Sequence, residues 1–139
     1  MGRSKGSSGA PLAKKLGIKP GNRVVVIRAP SGFQLDPLPD GVTVSSRAGA
    51  GPNVILLFTT SQADLERRAG DLAGSLDPSG GLWVAWPKKA STIGSDLTFA
   101  AIQRTGLDIG LVDNKSCSID DDWQALRFVY RLKDRPRDR

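Results

Sequence analysis

Two five-residue apolar runs, Val54-Ile55-Leu56-Leu57-Phe58 and Leu82-Trp83-Val84-Ala85-Trp86, flank a segment with helical periodicity, and this arrangement restricts the chain to few folds. Neither run alternates polar with apolar residues, as expected of strands covered on both faces of a parallel sheet. Between them Leu65, Ala69, Leu72, Ala73 and Leu76 fall at i, i+4, i+7, i+8 and i+11, a single apolar stripe on a helix. Ser61 is placed to cap that helix with Asp64 at N3, and Pro78 with Gly80-Gly81 ends it. The pattern is one βαβ unit.

A third unalternating run, Val24-Val25-Val26-Ile27, precedes it. Three such strands predict an α/β fold with a mostly parallel central sheet and flanking helices. Leu12 to Gly17 suits one short helical turn, and Val42-Thr43-Val44 a short edge strand. After Trp86, residues 87–94 read as a loop. Ser95 is expected to cap a second helix running from Asp96 to about Thr105, with Gly106 at its C-cap. Ile109 to about Cys117 reads as a strand. Leu126, Phe128, Tyr130 and Leu132 alternate with Arg127, Val129 and Arg131, predicting one wet face and a C-terminal antiparallel hairpin that closes one edge of the sheet.

Length and composition bound the rest. The 139 residues suit one domain, expected over residues 17–133 between flexible basic tails at 1–16 and 134–139. The formal charge of +6 is distributed unevenly. Residues 1–23 carry six bases and no acid, and residues 131–139 carry five bases and two acids, which leaves the interior at −3. Basicity confined to the ends is the pattern of solvated tails, so nucleic acid is expected to bind only weakly and non-specifically through them. No segment approaches the roughly 20 apolar residues of a membrane span, and the N-terminus lacks a signal-peptide run, so the expected location is cytoplasmic without membrane contact.

Absent residue types exclude whole chemistries. The chain has no histidine and one cysteine, Cys117, which removes Ser/His/Asp and Cys/His triads, His-containing metal sites and an internal disulfide. Glu66 is the only glutamate, and it lies on the exposed face of the first long helix. Asp120-Asp121-Asp122 is adjacent carboxylate without further ligands, the composition of a solvated hairpin loop, so no metal is expected. Trp83 and Trp86, at i and i+3 of a strand, point to opposite faces. Trp123 is expected to pack under the hairpin, and Cys117 to be buried and inert.

The order of elements resembles the Rossmann-like fold of S-adenosylmethionine-dependent methyltransferases. Residues 17–27 (GIKPGNRVVVI) resemble the lead into its first strand, residues 54–86 its fourth strand, helix and fifth strand, and residues 106–133 its closing hairpin. At a finer level WVAWPKKAS, SDLT, GLVDNKSC and DDWQALRFVYR resemble a family of short bacterial proteins of unknown function, which implies no activity. The methyltransferase resemblance implies an adenosyl site after the first strand, yet Arg28-Ala29-Pro30-Ser31-Gly32-Phe33 holds one glycine where a glycine-rich loop belongs. No acid ends the second strand to grip a ribose, and the helix between the first two strands is curtailed. These residues predict a degenerate scaffold without an S-adenosylmethionine cofactor.

The candidate ligand-binding residues follow from position. Lys88 and Lys89 leave a central strand at its carboxyl end, the edge where open α/β sheets bind ligands, and Pro87 stiffens that exit. Ser91 adds a hydroxyl. Ser61 opens a helix on the same edge, and Arg28 shares it. Together they suit a small anionic ligand, with two solvated loop lysines as the plain alternative. Three functions remain open: a non-catalytic binding protein for a small anion or a protein partner, a methyltransferase-like enzyme with an atypical cofactor grip, and a nucleic-acid-associated protein acting through its tails.

Overall fold

The computed structural model describes residues 11–49 and 51–132. The basic segments 1–10 and 133–139 lie outside them. In chain order the elements are α1 (Leu12–Lys15), β1 (Arg23–Ile27), β2 (Thr43–Ser45), β3 (Val54–Phe58), α2 (Gln62–Ser75), β4 (Gly81–Pro87), α3 (Phe99–Asp108), β5 (Leu111–Ser118) and β6 (Trp123–Tyr130).

The strands form one six-stranded sheet in the order β2-β1-β3-β4-β6-β5. The first four run parallel, and β6 pairs antiparallel with both β4 and β5. The α/β expectation holds: a mostly parallel sheet carries a C-terminal antiparallel hairpin. All residues of β3 and β4 are buried, which accounts for their unbroken apolar sequences. One face packs Ile55, Leu57, Val84 and Trp86 under the stripes of α2 and α3, including Leu65, Leu72 and Ile102. The other packs Leu56, Phe58, Trp83 and Ala85 against Ala13 and Leu16 of the α1 turn and against Phe33, Leu35 and Leu38. Trp83 and Trp86 therefore do occupy opposite faces, and Trp123 packs edge-to-face on Phe58 at 5.1 Å between centroids.

Four boundaries differ from the sequence expectation, each for a physical reason. Leu16 is fully buried and its carbonyl accepts a 3.0 Å hydrogen bond from Trp83 Nε1, so the packed domain begins before residue 17. The second long helix starts at Phe99, capped by Thr98, whose hydroxyl accepts from the Ala101 N–H. Ser95 and Asp96 are drawn elsewhere: Asp96 Oδ1 accepts from the Gln62 N–H at 2.8 Å, and its own N–H donates to the Thr60 carbonyl. Gly106 lies inside α3, where a Cβ would overlap the Phe128 ring; the glycine in the left-handed region just past the helix is Gly110, at φ 91°. On β6 the second face is not wet, because Trp123 and Ala125 are buried and Arg127 and Val129 are half-buried. That strand ends at Tyr130, leaving Leu132 exposed.

Candidate functional site

The carboxyl ends of β1, β3 and β4 lie on one edge because these strands are parallel. Strand order reverses between β1 and β3, and the crevice outside such a reversal is the usual ligand position in open α/β sheets. Arg28 follows β1 at φ 61°, an uncommon backbone conformation for a residue with a side chain. Thr59 to Ser61 follow β3. Ser61 caps α2 as its sequence implies, its hydroxyl accepting from the Asp64 N–H at 3.1 Å.

An internal acid network occupies this crevice. Asp64 accepts from Thr59 Oγ1 at 3.0 Å, from Arg67 at 2.6 Å and from Arg68 at 3.0 Å. Burial pushes its carboxyl up, but the Arg68 and Thr59 hydrogen bonds, with the charges of Arg68 and Arg28, outweigh that and hold it below the ordinary carboxylate value of 3.8. Asp96 adds a second carboxylate at the first N–H of α2. The anion-favouring end of this helix is thus served by the chain's own acids.

The residues after β4 are organised separately. Lys88 is tied to the tip of the β5–β6 hairpin: its N–H donates to the Asp122 carbonyl at 2.8 Å and its Nζ to Ser118 Oγ at 2.7 Å. Ser91 Oγ donates to Asp122 Oδ1 at 2.9 Å and accepts from the Ile93 N–H. Lys89 is exposed and makes no hydrogen bond or ion pair among the described residues. The three border a groove of about 880 Å³ whose wall also includes Trp86, Ile93, Phe99 and Gln124. Phe99 is 48% exposed and meets Trp86 edge-on with centroids 6.3 Å apart.

The structure therefore brings Lys88, Lys89 and Ser91 together, and brings Arg28 and Ser61 together around Asp64. Arg28 and Ser61 do not line the groove. Sequence reasoning missed Ile93 and Phe99. Neither carries a periodic signal, since Ile93 lies in a loop and Phe99 opens α3, and the structure leaves both substantially exposed. The acidic run is a hairpin tip, with Asp120 Oδ1 accepting from the N–H groups of Asp122 and Trp123. Among the described residues no group of three or more His, Cys, Asp or Glu side chains is placed to hold a metal ion. Cys117 is half-buried, and burial pushes its thiol up despite the charges of Lys15 and Lys115. No helix among the described residues is long and apolar enough to cross a membrane.

The fold agrees with that of solved structures, several of them methyltransferases. The chain aligns with the pyocyanin biosynthetic protein PhzM at a TM-score of 0.64 and 11% identity, over 86% of this chain and 53% of that one. It aligns with the mitomycin 7-O-methyltransferase MmcR at 0.63 and 12%, over 80% and 49%. A SAM-dependent methyltransferase from Aquifex aeolicus gives 0.59 and 9%, over 84% and 86%. The scaffold is methyltransferase-like. The chain spans about half the length of PhzM and MmcR. No family model matches the chain, and no curated protein does.

On this methyltransferase-like scaffold the residues at the adenosyl position do not fit S-adenosylmethionine. No helix follows β1, and Gly32 is the only glycine in the turn after it. At the end of β2, where a carboxylate would accept from both hydroxyls of a ribose diol, this chain has Ser45, a single neutral oxygen whose proton goes to the Arg47 carbonyl at 3.0 Å.

Proposed function

We propose that this chain is a non-catalytic binding protein for a small organic anion, held in the groove at the carboxyl end of β4. The observation that carries this reading is Lys89, a cation with no acid partner among the described residues at the rim of a groove of ligand size. Lys88 and Ser91 contribute by fixing the loop, since both are bonded to the hairpin tip. Pro87 adds stiffness at the strand exit, so the Lys89 ammonium starts from a well-defined backbone and loses less freedom on binding. Isothermal calorimetry with small carboxylates and phosphates tests it. Lys89→Ala is expected to weaken the bound anion by about 1.5 to 3 kcal/mol, the scale of a hydrogen bond to a charged group. Stability should change by less than about 0.5 kcal/mol, because the side chain is exposed. Unchanged affinity in Lys89→Ala overturns the reading.

The scaffold favours a second reading, a methyltransferase with an atypical cofactor grip. Saturable binding of S-adenosylmethionine would support it, and a cofactor at 100 times its dissociation constant would raise stability by about 2.7 kcal/mol.

A further inference from the structure

The groove's polar side chains are already engaged in the fold. Lys88 Nζ donates to Ser118, Ser91 bonds Asp122, Ser95 Oγ accepts from the Leu97 N–H, Thr98 caps α3, and Gln124 Nε2 donates to the Pro87 carbonyl. Lys89, and Lys88 with only the neutral Ser118 hydroxyl at its ammonium, leave two positive charges without an acid partner among the described residues. Around them lies apolar and aromatic surface: Ile93 is 36% exposed, Phe99 is 48% exposed, and the Trp86 ring backs Phe99.

We infer that the groove selects a planar aromatic carboxylate. The inference rests on the anion-binding reading above and adds the body of the ligand to its charge. A nucleotide or sugar phosphate brings many hydroxyls, and most of the lining's polar side chains already hydrogen-bond within the fold, so such a ligand would leave polar groups desolvated with few partners. A flat aromatic body instead covers the exposed Phe99 face while the carboxylate meets Lys89. The volume of about 880 Å³ admits a two-ring body.

The test is titration of the full chain, followed by amide and indole NMR shifts, with four probes: 2-naphthoate, the neutral 2-naphthalenemethanol, cyclohexanecarboxylate and inorganic phosphate. Naphthoate is expected to bind at least tenfold more tightly than each of the others, with shifts at the Trp86 indole and residues 88–99. Phe99→Leu should reduce the preference for naphthoate over cyclohexanecarboxylate about fivefold, and Lys89→Ala should remove the preference for naphthoate over the alcohol. Thermal melts of both variants establish that they fold. Phosphate or cyclohexanecarboxylate binding as tightly as naphthoate, still dependent on Lys89, would overturn the aromatic selection while sparing the anion site. Naphthoate and alcohol binding equally in the wild-type chain would overturn both, as would no saturable shift in residues 88–99 with any probe.

Discussion

Glycine-to-alanine substitution in this chain should change sign from one helix to the other. In a helix interior Ala is favoured over Gly by about 1 kcal/mol, because Gly loses more backbone freedom on folding. Gly70 and Gly74 in α2 have nothing within 4 Å of an added Cβ, so Gly70→Ala and Gly74→Ala should each stabilise by about 0.5 to 1 kcal/mol. Gly106 in α3 has the same helical setting, but its Cβ would overlap the ring of Phe128, which is 1% exposed and has no room to withdraw. Overpacking of this kind costs about 1 to 3 kcal/mol, which exceeds the helix gain, so Gly106→Ala should destabilise by roughly 1 to 2 kcal/mol net. Urea unfolding reads this directly as opposite shifts in midpoint at constant slope. Repeating Gly106→Ala in a Phe128→Leu background should shrink the cost, since the two residues are in contact. A higher midpoint for Gly106→Ala in the wild-type background would refute the α3–β6 packing described here.

Asp64 has its folded pKa depressed, so its contribution to stability is complete above the unfolded value near 3.8 and is lost as pH falls through the folded value. Asp64→Asn should lower stability at pH 7 and flatten the acid limb of urea midpoints between pH 2 and 5; an unchanged limb would contradict the network. Trp83→Phe removes the buried donor to the Leu16 carbonyl and should cost about 1 to 3 kcal/mol by the same assay. Leu16→Ala should cost about 2 to 5 kcal/mol, whereas loss of residues 11–16 without consequence would contradict the packing of α1. Asp96→Ala should cost about 1 kcal/mol, the scale of a helix cap, because it frees the Gln62 N–H. Hydrogen exchange should be slowest in β1, β3 and β4 and faster in the edge strand β5.

The sheet and α2 were legible because their signals are local. Unbroken apolar runs identify β1, β3 and β4, and Ser61 with Asp64 marks the start of α2 in the residues themselves. The start of α3 was not legible. Ser95-Asp96 is as good a capping sequence as Thr98 locally, and the contacts of Asp96 with Thr60 and with Gln62, 34 residues away, decide against it. Gly106 misled for the same reason, since its partner Phe128 is distant in sequence. The lysines were legible by position after β4, but the engagement of Lys88 with Ser118 depends on how the hairpin folds back. The groove wall was not legible because Ile93 and Phe99 carry no periodic signal in a loop and a helix start.

On the proposed reading this methyltransferase-like scaffold holds a small organic anion beyond β4 and not S-adenosylmethionine beyond β1. One ¹⁵N-resolved NMR titration of the same sample, first with S-adenosylmethionine and then with 2-naphthoate, addresses both halves. The predicted result is no saturable shift at residues 28–33 with the cofactor, and saturable shifts at residues 88–99 and the Trp86 indole with the acid. Saturable cofactor shifts at residues 28–33, with residues 88–99 silent to the acid, would contradict it.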